Sequence, residues 1–216
     1  MVELASQEQV MAQAVDFRAS WWERYVPGEW WPQSLVRLPG APGHPGYQRV
    51  TRQDLFDLAA AAHSPEGRVG LLLGCYLWGT GPSAFLVGRR ARTFTRTPLT
   101  VVAERLARVD EVMATEGPVA AYASMTRGGP NAVAYLGPAF FTKYLYFTGA
   151  DLPRRPLILD RKVAAAFGHM DPPWNIGSYG WGSVTYERYL HRAEALAAEH
   201  GVSGDAVEHG LFTGRL

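Results

Sequence analysis

From residue 51 onward, apolar side chains recur every three or four positions, the spacing of one buried helix face. Thr51 stands before RQDLFDLAAAAH as a helix cap, and Arg68–Gly79 reads as a second, almost wholly apolar helix. A third helix is expected over Pro82–Arg92, ending in a basic cluster. Thr97–Glu116 has apolar residues on one face and charges opposite, and Pro118–Met125 is a short helix. Asn131–Leu136 and Pro138–Thr148 read as two helices joined across Gly137. Asp160 caps RKVAAAF, Ser183–Glu199 is a long amphipathic helix, and Gly204–Phe212 closes the chain. No stretch alternates strictly enough for a strand, and no repeat is present. The pattern predicts an all-α fold with little or no sheet.

Residues 1–48 follow another pattern. Trp21, Trp22, Trp30 and Trp31 crowd into WWERYVPGEWWP, and LPGAPGHPG follows at 38–46. This segment is expected to be a short helix and an irregular wrap over a helical domain spanning 49–216. Packing is the plain role for its tryptophans, and a base-stacking platform is the functional alternative.

Composition narrows the chemistry. A chain of 216 residues, 47% hydrophobic, can bury a sizeable core. No apolar run reaches bilayer length, and the acidic N-terminus does not read as a signal peptide. Cys75 is the single cysteine, which excludes an internal disulfide, a cysteine-ligated zinc site and an iron–sulfur cluster. The six histidines show no spacing typical of metal ligation. The expectation is therefore a cytoplasmic monomer without membrane association, metal or other cofactor. Net charge is only +1, so a nucleic-acid surface would have to be a local basic face such as Arg89, Arg90, Arg92 and Arg96. A solvated helix end explains that cluster equally well.

Of 21 basic residues only Lys143 and Lys162 are lysines. Where arginine supplies almost every positive charge, a retained lysine raises a chemical question, because lysine can lose its proton and act as a nucleophile whereas arginine effectively cannot. Lys143 lies in PAFFTKYLYF, among apolar and aromatic neighbours whose desolvation would favour a neutral amine. Its structural alternative is a stem packed on the core with the head in water. Asp160 follows 17 residues later, after PLIL and at a helix start. A cap is its ordinary role, and capping would also fix its carboxylate across a cleft from Lys143.

Two helices across a glycine, a lysine in the second and an aspartate opening the next resemble the helix-hairpin-helix DNA glycosylase superfamily, and within it the 8-oxoguanine DNA glycosylase branch. LGPAFFTK (Leu136–Lys143) and LILDRKVA (Leu157–Ala164) carry the resemblance, which covers roughly residues 70–213. It implies two helical lobes around a cleft, the hairpin at about 131–148, Lys143 and Asp160 as the catalytic pair, and DNA contacts from Gly137 and Lys162, with Arg89 and Arg90 as further candidates. The chain has one glycine where the usual hairpin motif has two. The resemblance also implies a base pocket near the C-terminus, where Glu208 and Phe212 sit one helical turn apart, with Phe147 one turn after the lysine. A helix-end charge and a core phenylalanine are the structural alternative for the last pair. The loop Trp78–Ala84 occupies the slot of the wedge that fills the gap left by a flipped base.

The expected partner is double-stranded DNA bearing a damaged or modified base, and the expected activity is purine excision through a lysine Schiff base, with strand nicking by β-elimination. Two alternatives stay open: a glycosylase for another modified base, including one used in phage defence, and a non-catalytic DNA-binding protein on the same scaffold.

Overall fold

The computed structural model describes residues 3–83, 86–170 and 180–216. In chain order the elements are α1 (Gln7–Met11), β1 (Ala14–Phe17), 3-10 turns at Ala19–Trp21 and Gly28–Trp30, α2 (Gln33–Val36), β2 (Gln48–Thr51), α3 (Arg52–Ala60), α4 (Pro65–Thr80), α5 (Val87–Arg90), α6 (Arg92–Thr95), α7 (Leu99–Glu116), α8 (Pro118–Met125), α9 (Pro138–Thr148), α10 (Arg161–Met170), α11 (Ser183–His200) and α12 (Gly204–Thr213). The fold is all-α, apart from one antiparallel strand pair in which Ala14 faces Thr51 and Asp16 faces Arg49. Among the described residues no helix is long and apolar enough to cross a membrane.

Helix α4 is the axis of the protein. Ser64 caps it, Pro65 occupies its first turn, and every residue from Val69 to Trp78 is buried. A helix apolar all round must be surrounded, and α3, α7, α9 and β1 pack about it. Helix α7 presents Val102, Leu106, Val109 and Met113 to the core, a single stripe at helical spacing. Thr51 caps α3 through a reciprocal box with Asp54. The N-terminal tryptophans are packing residues: Trp22 sits 5.8 Å from Tyr76 and 6.5 Å from Phe94, and Trp31 and Leu35 join the same cluster.

Two expected helices are not formed. Asn131–Leu136 is a series of turns, in which the Asn131 amide donates to the Ser124 carbonyl at 2.9 Å. Tyr135 has φ 65°, a left-handed conformation that a right-handed helix cannot contain, and Gly128 just upstream has φ 90°. The helices flanking this turn are therefore α8 and α9, and Gly137 is the N-cap of α9 rather than a link between two helices. Pro82–Arg92 is likewise not one helix. Gly81, at φ 74°, ends α4, and Leu86, at φ 60°, delays the next turn until α5, with α6 following. Ala84 and Phe85 lie outside the described residues, and with them part of the expected wedge loop. Trp78, Gly79 and Thr80 of that loop belong to the last turn of α4.

Candidate active site

Helix α9 begins at Gly137–Pro138, where proline's missing N–H costs nothing. Its apolar sequence drives it into the core, and Lys143 goes in with it, 4% exposed. The amine is nevertheless partnered: Nζ donates to the Ala139 carbonyl at 2.8 Å and to Asp160 Oδ2 at 3.4 Å. Asp160 precedes α10, and its two oxygens divide the work. Oδ1 accepts from the amides of Lys162 at 2.9 Å and Val163 at 3.1 Å, capping the helix, while Oδ2 faces Lys143. Burial works to raise the Asp160 carboxyl, but the Lys143 charge and the two capping amides prevail and hold it below the usual carboxylate range. The cap thus fixes the carboxylate against the amine.

Trp78 and Gly79 complete the surroundings of the amine. Lys143 Nζ lies 5.8 Å from the Trp78 ring centroid and 5.9 Å from that of Phe140. A methyl group on Gly79 would come within 3.0 Å of both Lys143 Cε and Phe140 Cε1, so the glycine provides the space in which the lysine stem runs. Gly79→Ala is expected to leave stability within about 1 kcal/mol, because the gain in helix propensity offsets the crowding. Any reaction that uses the Lys143 amine should slow on the order of tenfold, because the amine is displaced. Unfolding curves and single-turnover kinetics check both; an unchanged rate would show that the lysine stem relaxes freely.

Trp78 and Gly79 also line an open cavity of about 470 Å³, together with Ala14–Asp16, Arg49, Thr80–Pro82, Lys162 and Phe212. Its volume is ordinary for a small-ligand site. Lys162 extends its ammonium over the Phe212 ring, 4.6 Å from the centroid. Cavity and lysine–aspartate pair therefore adjoin through Trp78, Gly79 and the start of α10.

The chain matches, over residues 8–212, the family described as "Putative 8-oxoguanine DNA glycosylase OGG-like protein". It belongs to that family. No curated protein and no solved structure matches it. Membership of a DNA glycosylase family implies a DNA substrate, and the helical fold and the Lys143–Asp160 proximity accord with such an enzyme.

The other residues expected at the glycosylase site divide into two groups. Lys162 and Phe212 line the cavity. Glu208 and Phe147 do not. Glu208 is 1% exposed and sits 2.8 Å from Arg52 Nη2, so its carboxylate serves an internal cation. Phe147 is buried edge-on to Trp78, at 6.1 Å, and to Phe56, at 4.9 Å. Arg89 is exposed on α5, and Arg90 is half-buried with its guanidinium 5.2 Å above the Phe140 ring. Arg90 is thereby tied to the first turn of α9, beside Gly137.

Sequence reasoning missed Arg52. It is fully buried, its donors reach Tyr146 Oη at 3.0 Å and Gln13 Oε1 at 2.5 Å, and it forms an ion pair with Glu208, Nη2 to Oε2 at 2.8 Å. Its guanidinium is 5.2 Å from the Trp78 centroid, so that one ring neighbours both Arg52 and Lys143. Nothing local marks an arginine one residue after a helix cap as buried. Asp16 and Arg49 were missed for the same reason: their bond is made across β1 and β2.

Proposed function

We propose that the protein excises an oxidised purine, such as 8-oxoguanine, from duplex DNA, with Lys143 as nucleophile and Asp160 as its electrostatic partner. The observation that carries this reading is the 3.4 Å approach of a buried lysine amine to a carboxylate anchored by a helix cap. DNA binding alone calls for neither group. The adjoining cavity offers Phe212 and Trp78 as apolar walls for a base turned out of the duplex.

In the proposed reaction Lys143 gives up its ammonium proton to solvent, and the neutral amine attacks C1′ of the extruded nucleotide. The N-glycosidic bond breaks, and its electron pair leaves with the base. The departing base takes the proton released from the attacking nitrogen. Positive charge that develops on the sugar as the bond breaks is offset by the Asp160 carboxylate, which lies 3.4 Å from the amine. Opening of the sugar ring gives an imine between Lys143 and C1′. Loss of a proton from C2′ then expels the 3′ phosphate by β-elimination. Lys162, Arg90 and the open N-terminus of α9 at Gly137 are the proposed phosphate contacts.

Borohydride trapping tests this reading. The protein incubated with a duplex containing 8-oxoguanine should release free base and, on reduction, form a covalent protein–DNA adduct. Release without an adduct would remove the lysine mechanism. If a panel of oxidised, alkylated and hypermodified bases gave neither product, the protein would be a DNA-binding member of its family rather than a glycosylase.

A further inference from the structure

With Glu208 committed to Arg52, the polar groups that remain in the cavity are of particular interest. Arg49 Nε donates to Asp16 Oδ1 at 2.7 Å and Arg49 Nη2 to Asp16 Oδ2 at 3.2 Å, a two-pronged pairing of directly opposed residues on β1 and β2. His44 Nδ1 lies 2.6 Å from Asp16 Oδ2. Both Asp16 and Arg49 line the cavity, as does Thr80, whose buried hydroxyl has no hydrogen-bond partner among the described residues.

The pair presents two complementary functions at one edge of the cavity. A carboxylate has about four lone-pair positions. Arg49 and His44 occupy three on Asp16, and among the described residues the fourth, on Oδ1, has no donor, since Oδ1 accepts there only from Arg49 Nε. The Arg49 hydrogen bonds, together with His44 and against the effect of burial, hold the Asp16 carboxyl below its usual range, so that it serves only as an acceptor. Arg49 in turn keeps Nη1 and one Nη2 hydrogen outside its pairing with Asp16, and its side chain is 39% exposed. The result is a rigid acceptor beside a rigid donor.

An intact guanine carries two acceptors, N7 and O6, on its Hoogsteen edge. Oxidation at C8 converts N7 into an N–H donor and places a carbonyl beside it. We infer that Asp16 and Arg49 are specificity-determining residues that read this altered edge, Asp16 accepting from N7–H and Arg49 donating to the neighbouring carbonyl. Intact guanine would bring its N7 lone pair against the carboxylate and be disfavoured. Phe212 and Trp78 supply the apolar walls, and Lys162, which has no carboxylate paired to it among the described residues, is left to the phosphate. This inference rests on the excision activity proposed above and adds to it the origin of lesion selectivity.

The test compares base recognition with chemistry in the full-length protein. Duplexes carrying 8-oxoguanine, 8-bromoguanine (substituted at C8 but still an acceptor at N7) and an abasic site are offered to wild type, Asp16→Asn and Arg49→Lys. An abasic site forms the Lys143 imine without any base to read, so its trapping reports folding and nucleophile together. Wild type should prefer 8-oxoguanine to 8-bromoguanine. In both variants the ratio of 8-oxoguanine excision to abasic-site trapping should fall about 10- to 100-fold, the usual value of a two-point base contact. In Asp16→Asn the preference over 8-bromoguanine should also narrow, because an amide can donate to N7. Unchanged ratios would overturn the inference while leaving the glycosylase reading intact. So would equal losses of excision and trapping, which would make the pair a structural brace between β1 and β2. A wild type that neither excises nor traps would refute the proposed activity, and the inference with it.

Discussion

Lys143→Gln is expected to lower base excision by roughly 10³- to 10⁶-fold and to abolish the borohydride-trapped adduct, the scale of loss seen when a nucleophile is removed. Glutamine is one atom shorter than lysine, but Asp160 keeps the amides of Lys162 and Val163 as donors. The carboxylate is thus not stranded, and the fold should survive. Affinity for lesion-bearing DNA should change by less than about tenfold, since phosphate contacts supply most of it. Lys143→Arg should be equally inactive, because a guanidinium stays protonated and has no lone pair to offer. Single-turnover excision, gel trapping and filter binding measure the three quantities. Wild-type excision by Lys143→Arg would show that position 143 supplies charge alone, and the Schiff-base mechanism would fail.

Arg52→Met should produce the largest loss of stability, about 3–5 kcal/mol at neutral pH, the usual cost of removing one partner of a buried ion pair. Glu208 is fully enclosed. Burial raises its carboxyl above the usual range, and Arg52 opposes that rise. Burial also works against the charge on Arg52, but the Glu208 carboxylate and Tyr146 more than compensate, so the guanidinium is held firmly protonated. Without Arg52, Glu208 must either keep an unpaired charge or take up a proton. An acid whose folded pKa lies above its unfolded value binds more protons when folded, so its ionisation destabilises the protein increasingly as pH rises from the unfolded value through the folded one. The deficit of Arg52→Met should therefore be smaller at pH 5 than at pH 8. The double variant Arg52→Met/Glu208→Met should recover most of the loss, because apolar replacement of a whole buried pair is often neutral or better. Urea unfolding at the two pH values decides the matter. A loss under 1 kcal/mol, independent of pH, would show that the pair contributes little.

The Arg52–Glu208 pair also adjoins the cavity through Trp78. Trp78 packs beside Arg52 and lines the cavity, and its indole N–H donates to the Gln13 carbonyl at 3.3 Å. Gln13 in turn accepts from Arg52 through its side chain. Arg52, Gln13 and Trp78 are thus joined in one part-buried hydrogen-bonded group beside the cavity.

Much of this protein is determined locally and is legible in its sequence. The helical periodicity, the Thr51 cap of α3 and the Asp160 cap of α10 all rest on interactions spanning three or four residues, which the sequence states directly. The scarcity of lysine drew attention to Lys143, and the cap placed Asp160. Two helices failed to form for a reason the apolar pattern does not register: Leu86 and Tyr135 adopt left-handed backbone, which neither leucine nor tyrosine favours by its identity. The tertiary structure alone decided which polar residues face the cavity. Glu208 and Phe212 share one turn of α12, yet one is buried against Arg52 from the start of α3 and the other lies in the cavity under Lys162. Asp16 reaches Arg49 only because β1 and β2 pair across the intervening Trp-rich segment. Such contacts join residues far apart in the chain, and their partners are chosen by how helices and strands close around α4, which no local pattern specifies.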